Sequence, residues 1–227
     1  MIPDLGVIIA AGGSSQRYGE KDKLTEMLGS LPVLLHSVKN FSPLVAPGNL
    51  IVAARSEALD EYAALAAEYL PDIAVHFVAG GRNRTGSVRN ALAALPLSCG
   101  IVAVHDAARP LAGGALLERL VCHARACGGA IAASAVVDSL KLADENGRFI
   151  AAPVSRERMF QAETPQVFDL NSFRQAYSVL GDNAPTDDAE VMRLAGYQVE
   201  LVKSGQWNMK LTSPEDLDKL KKFLEHE

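Results

Sequence analysis

Two patterns of hydrophobic positions alternate along the chain. Short continuous apolar runs that end in small or polar residues read as buried strands: Leu5–Ala11, Leu50–Ala54, and residues 73–78, 101–104 and 130–137. Between them, apolar residues recur at helical spacing. Leu34, Val38 and Phe41 share one face after Pro32, Val88, Leu92 and Leu95 share another, and residues 115–126 form a third helix. Ser56 reads as the N-cap of a helix running to Leu70. Strands alternating with helices imply an α/β fold, a mostly parallel sheet flanked by helices on both faces.

The pattern breaks at residues 138–153. Ser139-Leu140-Lys141, the turn Asp144-Glu145-Asn146-Gly147 and Arg148-Phe149-Ile150 read as a hairpin with too few apolar residues for a core. Such a protruding arm suits a dimer contact and a plain surface hairpin equally. Residues 156–168 bring the chain back, with Thr164-Pro165-Gln166 as a turn. A helix follows Asp169, and a threonine or aspartate of Thr186-Asp187-Asp188 caps the next, over residues 189–194. Residues 197–202 and 207–211 read as late strands. Ser213-Pro214-Glu215-Asp216 starts a last helix with Leu217, Leu220 and Leu224 inward, and residues 225–227 fray.

Length and composition narrow this further. The 227 residues suit a single domain over 1–227 with the arm inserted. Hydrophobic content is 48% but aromatic content only 6%, so Ala, Val, Leu and Ile build the core. A net charge of −5 argues against nucleic acid as a partner. Cys99, Cys122 and Cys127 lack the spacing of a zinc cage or a disulfide framework. With no signal sequence and no apolar run of membrane-spanning length, the expected setting is the cytoplasm, without a membrane partner.

Three polar stretches follow strands: residues 12–23, 80–87 and 105–110. Ligands of open α/β sheets bind outside the carboxyl ends of the strands, where these loops converge. Gly12 and Gly13 after the first strand permit close backbone approach, and Arg17 adds a permanent charge, so the first loop reads as a phosphate grip. Asp106 can hold a hard divalent cation or cap its own turn. Lys210, by itself, reads as a solvated edge residue. His36, His76, His105, His123 and His226 are scattered, and no serine–histidine–acid set stands out. Cations around glycine loops with an acid at a strand end suit phosphoryl or nucleotidyl transfer.

The residues also carry a resemblance. It rests on Ala11-Gly12-Gly13 with Arg17 and Lys23, Gly80-Gly81 with Arg84 and Ser87-Val88, and the run His105-Asp106-Ala107-Ala108-Arg109-Pro110. Further on come Arg156 with Thr164-Pro165-Gln166, Thr186-Asp187, and Asn208-Met209-Lys210 with Thr212 and Pro214-Glu215-Asp216. In order and spacing, these resemble the 2-C-methyl-D-erythritol 4-phosphate cytidylyltransferases of the non-mevalonate isoprenoid pathway. The resemblance implies a Rossmann-like fold and transfer of CMP from CTP to methylerythritol phosphate, with Mg²⁺ and release of pyrophosphate. By position, Ala11, Gly12, Gly13, Ser14 and Ser15 would hold CTP together with Gly81, Ser87, Asp106 and Ala107. Arg17, Lys23, Arg156 and Lys210 would be catalytic, and Asp106 would face the metal. Arg109, Ser139, Thr164 and Thr186 would surround the second substrate, and the hairpin would be the arm of a homodimer, reaching into the neighbour's site. The chain departs from the usual pattern at Ser15, Arg82, Ser139 and Asp22-Lys23-Leu24, so Lys21 competes with Lys23 for the triphosphate. No room remains after the last helix for the fused cyclodiphosphate synthase of bifunctional relatives.

Other readings stay open on sequence. A cytidylyltransferase for another polyol phosphate, such as ribitol 5-phosphate, shares the first loop. An NADP-dependent reductase would use Arg55 after the second strand, but residues 12–17 are not Gly-x-Gly-x-x-Gly and no tyrosine has a lysine four positions on. A non-catalytic nucleotide-binding relative is the third.

Overall fold

The computed structural model describes residues 1–13, 18–19, 21–181, 185–205 and 207–225. Its strands are β1 (Leu5–Ala11), β2 (Met27–Leu28), β3 (Leu31–Pro32), β4 (Leu50–Ala54), β5 (His76–Ala79), β6 (Ile101–Asp106), β7 (Gly129–Ala135), β8 (Leu140–Ala143), β9 (Ile150–Val154), β10 (Phe160–Asp169) and β11 (Glu200–Lys203). The helices are α1 (Val33–Phe41), α2 (Leu59–Tyr69), α3 (Arg84–Ala94), α4 (Gly114–Cys127), α5 (Leu170–Val179), α6 (Asp188–Leu194) and α7 (Pro214–Leu224). Seven strands form one sheet in the order β11-β7-β10-β6-β1-β4-β5. β10 runs antiparallel to both its neighbours, and the other pairings are parallel.

β1 lies inside this sheet, so both its faces need apolar cover. Leu5, Val7, Ile9 and Ala11 join one core with α1, α2, α4 and α7, whereas Ile8 joins a second core with α3, α5 and α6. Alternate side chains of a strand point to opposite faces, which is why a continuous apolar run was needed here. Parallel β4 and β6 flank β1, so the three chains leave the sheet at one end, beside Gly12, Arg55 and Asp106.

Five expectations are corrected. Ser56 caps no α-helix: residues 56–58 form a short 3-10 turn, and α2 starts at Leu59 without a side-chain cap. The third strand begins at His76 rather than residue 73. Thr164-Pro165-Gln166 is no turn between elements but lies within β10, where a cis Thr164–Pro165 peptide coincides with a register shift against β7 between Ala162 and Gln166. Residues 207–211, expected as a strand, make no ladder, and the other late strand is β11, starting at Glu200. The hairpin is present as the separate two-stranded sheet β8-β9, with β8, β9 and the turn between them largely exposed. Asp169 and Asp187 cap α5 and α6, and a capping box starts α7.

Candidate active site

β6 sets the centre of the site. Its last residue, Asp106, projects from the sheet end with its carboxylate 14% exposed. The Oδ1 atom lies 3.4 Å from Arg84 Nε, and Oδ2 accepts from Lys210 Nζ at 2.6 Å. Burial opposes the charged carboxylate, yet Arg84, Lys210 and Arg109 outweigh it and hold Asp106 well below the ordinary carboxylate range. Asp106 is therefore an anion at any physiological pH.

Arg84 is fixed from behind. Its Nη1 is 2.6 Å from Asp188 Oδ2, and Asp188, fully buried, accepts from the Tyr177 hydroxyl at 2.6 Å. Burial pushes the Arg84 guanidinium down, but Asp188 and Asp106 raise it further, so the charge is permanent. A single paired arginine thus links α6 to the strand end.

The two glycine loops close against each other beside Asp106. Ser87 Oγ accepts from Gly81 N at 3.1 Å and donates to Asn83 O at 3.0 Å. A Cβ on Gly81 would stand 2.6 Å from the Gly86 carbonyl carbon, and one on Gly12 would stand 3.1 Å from Ser87 Oγ, so side chains there would force the loops apart. Asn83 caps α3 by accepting from Gly86 N at 2.8 Å, and the positive end of that helix opens on the pocket. Lys23 donates to Leu211 O at 2.8 Å and reaches the same cavity, whereas Lys21 is largely exposed. The cavity measures about 620 Å³ and is lined by four cationic side chains, Lys23, Arg82, Arg84 and Lys210, against one described acid, Asp106.

Behind the wall lies a buried polar network. Asp106 N donates to Thr164 Oγ1 at 3.0 Å. His105 Nε2 lies 3.1 Å from Arg109 O; a carbonyl can only accept, so Nε2 carries the proton. Nδ1 is then the acceptor for the Thr164 hydroxyl at 3.1 Å. Burial lowers the His105 pKa to about 4 despite nearby Asp106, so the ring is neutral and both nitrogens are engaged. It braces the strand end and is not available as a general base. Arg109 Nη1 donates to Asn208 O at 2.6 Å, and Asn208 Nδ2 donates to Glu163 Oε2 at 2.8 Å and Thr164 O at 2.7 Å. These bonds, rather than a ladder, hold residues 207–211 and present Lys210 to Asp106.

Of the expected site residues, the structure gathers Gly12, Gly13, Lys23, Gly81, Ser87, Asp106 and Lys210 on one cavity. Ala11 and Ala107 are buried beneath it, and Ala107 N donates to Ala10 O. Arg109 and Thr164 belong to the bracing network. Ser139 and Arg156 lie on the exposed arm, where Arg156 Nη1 donates to Val137 O, and Thr186 is exposed ahead of α6; none of the three lines the cavity. Ser14, Ser15 and Arg17 lie outside the described residues. The sequence offers Asp188 only as a candidate helix cap, a place that Asp187 takes, and gives Tyr177 and Glu163 no role; an acid directly after Thr186-Asp187 and one directly before Thr164 are the available signals.

Among the described residues, no group of three or more His, Cys, Asp or Glu forms a metal cage. One ionised carboxylate at the wall of a cationic cavity fits Mg²⁺, which keeps several waters and is held by one or two carboxylates plus substrate phosphates.

Comparison with known proteins decides the family. The sequence profile described as IspD: 2-C-methyl-D-erythritol 4-phosphate cytidylyltransferase matches residues 5–226. The chain belongs to that family. A cytidylyltransferase of that name from Halalkalibacterium halodurans is 36% identical over 93% of this chain and 92% of its own length. The bifunctional enzyme IspD/IspF of Maricaulis maris is 38% identical over 94% of this chain, which spans 55% of that longer relative. The crystal structure of the 2-C-methyl-D-erythritol 4-phosphate cytidylyltransferase from Thermus thermophilus superposes with a TM-score of 0.81 at 27% identity, covering 98% of this chain and 99% of the other. The IspD family thus accounts for the α/β fold with its mostly parallel seven-stranded sheet, and its members are nucleotidyltransferases that move CMP from CTP.

Proposed function

We propose that the cavity around Asp106 binds CTP and that the chain transfers CMP from it to 2-C-methyl-D-erythritol 4-phosphate, releasing pyrophosphate. The observation that carries this reading is the grouping of four cationic side chains and one carboxylate on the two glycine loops. A triphosphate needs that charge, and glycine loops admit it.

The nucleophile is a phosphate monoester, already largely a dianion at neutral pH. Its oxygen needs no base to deprotonate it, which agrees with the bonded, neutral His105. The barrier lies in bringing one anion against another. Lys23 and Lys210 offset that repulsion and the charge that develops on the α-phosphate, and Arg17 would add to them. Asp106 would hold Mg²⁺, which would supply further charge neutralisation when bound. Lys210 pairs with Asp106 at 2.6 Å, which places it at the cavity wall where the phosphates would lie.

Arg156 and Ser139 stand apart on the arm, and in this reading they serve the polyol phosphate. Phe149 and Ile150 leave 64% and 69% of their surface exposed there, an apolar face that a second copy of the chain would cover. The proposed assembly is a homodimer in which one arm brings Arg156 to the partner's cavity. The expected setting is the cytoplasm; no helix among the described residues is long and apolar enough to cross a membrane.

The test is pyrophosphate release with CTP and Mg²⁺, comparing methylerythritol phosphate with ribitol 5-phosphate. Release with the first is expected. Rapid release with ribitol phosphate and none with methylerythritol phosphate would overturn the proposal.

A further inference from the structure

Asp22, Arg55 and Tyr62 lie beside the cavity and have no part in the chemistry above. Arg55 follows β4, and Tyr62 is a fully buried residue of α2. Asp22 directly precedes Lys23. Its Oδ2 accepts from Arg55 Nη2 at 2.9 Å and from the Tyr62 hydroxyl at 2.5 Å, and its Oδ1 accepts from Leu24 N at 3.0 Å. The Asp22 carbonyl takes Thr25 N at 3.1 Å and Thr25 Oγ1 at 3.0 Å. All three oxygens of the residue are thus engaged, and the turn they close contains Lys23 and Leu24, both on the cavity wall.

The strength of the hold follows from charge and burial. An ionised carboxylate gives the stronger class of hydrogen bond, and only 15% of the Asp22 side chain is exposed. Burial and then Asp22 push the Tyr62 phenol far above its ordinary pKa, so it stays a donor. Arg55 keeps this geometry although its buried Nε has no partner among the described residues, and its approach to exposed Glu57 is only 3.9 Å. The turn is therefore closed on itself through Leu24 and Thr25 and tied through Arg55 and Tyr62 to the core side of the sheet.

We infer that Asp22, clamped by Arg55 and Tyr62, is a positioning residue that fixes Lys23 on the triphosphate side of the cavity. The inference rests on the reading of that cavity as the CTP site. Arg55, which the sequence offered to a dinucleotide 2′-phosphate, is committed to this clamp. A merely structural cluster would lower stability and the amount of active protein while leaving the apparent affinity for CTP unchanged. A clamp that acts through Lys23 changes the affinity.

The experiment is a double-mutant cycle in steady-state kinetics on the full chain, with Tyr62→Phe, Lys23→Ala and the pair, and Asp22→Asn as a second probe. Tyr62→Phe keeps the Arg55–Asp22 pair and the packing, so it stays folded if Asp22→Asn does not. Expected is a rise of about three- to tenfold in KM for CTP with Tyr62→Phe, with KM for methylerythritol phosphate unchanged. Lys23→Ala has a larger effect, and adding Tyr62→Phe to it costs nothing more. If Lys23→Ala raises KM for CTP but Tyr62→Phe does not, or if the two effects multiply, the clamp is overturned and the CTP site stands. If Lys23→Ala leaves KM for CTP unchanged, the CTP reading of this wall falls and the clamp with it.

Discussion

The cavity around Asp106 and the β8-β9 arm are built in opposite ways. At the cavity, each functional group is held by a residue remote in sequence: Arg84 by Asp188, Asp106 by Thr164 and Lys210, and the Lys210 segment, through Asn208, by Glu163 and Thr164. The arm is a self-contained hairpin whose described bonds are largely local, such as Asp144 accepting from Arg148 N and Phe149 N. Buried, cross-linked groups give a preorganised charge field, which nucleotidyl transfer requires at the α-phosphate. An exposed hairpin fixes little by itself and gains a defined position only from what it docks against. In the proposed function, the cavity performs the chemistry and the arm delivers the second substrate.

The strongest way to break this division is Asp106→Asn. It leaves Lys210 without its anion and Arg84 with Asp188 alone, and turnover in the pyrophosphate assay should fall about 10²- to 10³-fold. Near-normal turnover would remove Asp106 from the centre of the account. Acid should weaken the cavity's support next. His105 has a folded pKa of about 4, below the ordinary value of about 6.5, so the unfolded chain takes up its proton first. Its contribution is full above about pH 6.5 and is lost as pH falls towards 4, a change of up to ~3 kcal/mol. His36, lowered by burial, acts in the same direction. Asp106 and Asp216, held below the ordinary carboxylate range against the opposing effect of burial, extend the loss below about pH 4. Urea unfolding of the protein and of His105→Asn at pH 7 and 5 checks this, and the variant should lose much of the pH dependence.

Smaller effects belong to the arm. Arg156→Ala should raise KM for methylerythritol phosphate about tenfold, the scale of one charge-assisted hydrogen bond. Replacing both Phe149 and Ile150 by Asp should shift sedimentation towards monomer, with the melting temperature of the seven-stranded sheet nearly unchanged, because neither residue belongs to the two cores. Lys21→Ala should be the mildest, within about 0.5 kcal/mol in stability and without effect on CTP use.

Much of this was legible in the chain. β1 and β4 stand at their expected residues because a strand covered on both faces must be apolar throughout. Asp106, Gly81 and Ser87 were legible because a strand end and a small-residue loop are local signals. Residues 207–211 misled because apolar–polar alternation is the same whether a segment is held by a ladder or, as here, by the side chains of Asn208 and Lys210. Pro165 suggested a turn, yet the chain keeps its direction through a bulge in β10. Asp188 could not be paired with Arg84 from sequence, since 104 positions separate them and only the tertiary fold brings the starts of α3 and α6 together. Of Lys21 and Lys23, Lys23 lines the cavity and Lys21 is exposed, a difference that only the packing reveals.

The most direct measurement is a calorimetric titration of CTP with Mg²⁺ into the protein, Lys23→Ala and Arg156→Ala. If the cavity binds the nucleotide and the arm does not, Arg156→Ala keeps the affinity of the unaltered protein and Lys23→Ala loses at least tenfold. Loss of CTP binding in Arg156→Ala, with Lys23→Ala unaffected, would contradict the account.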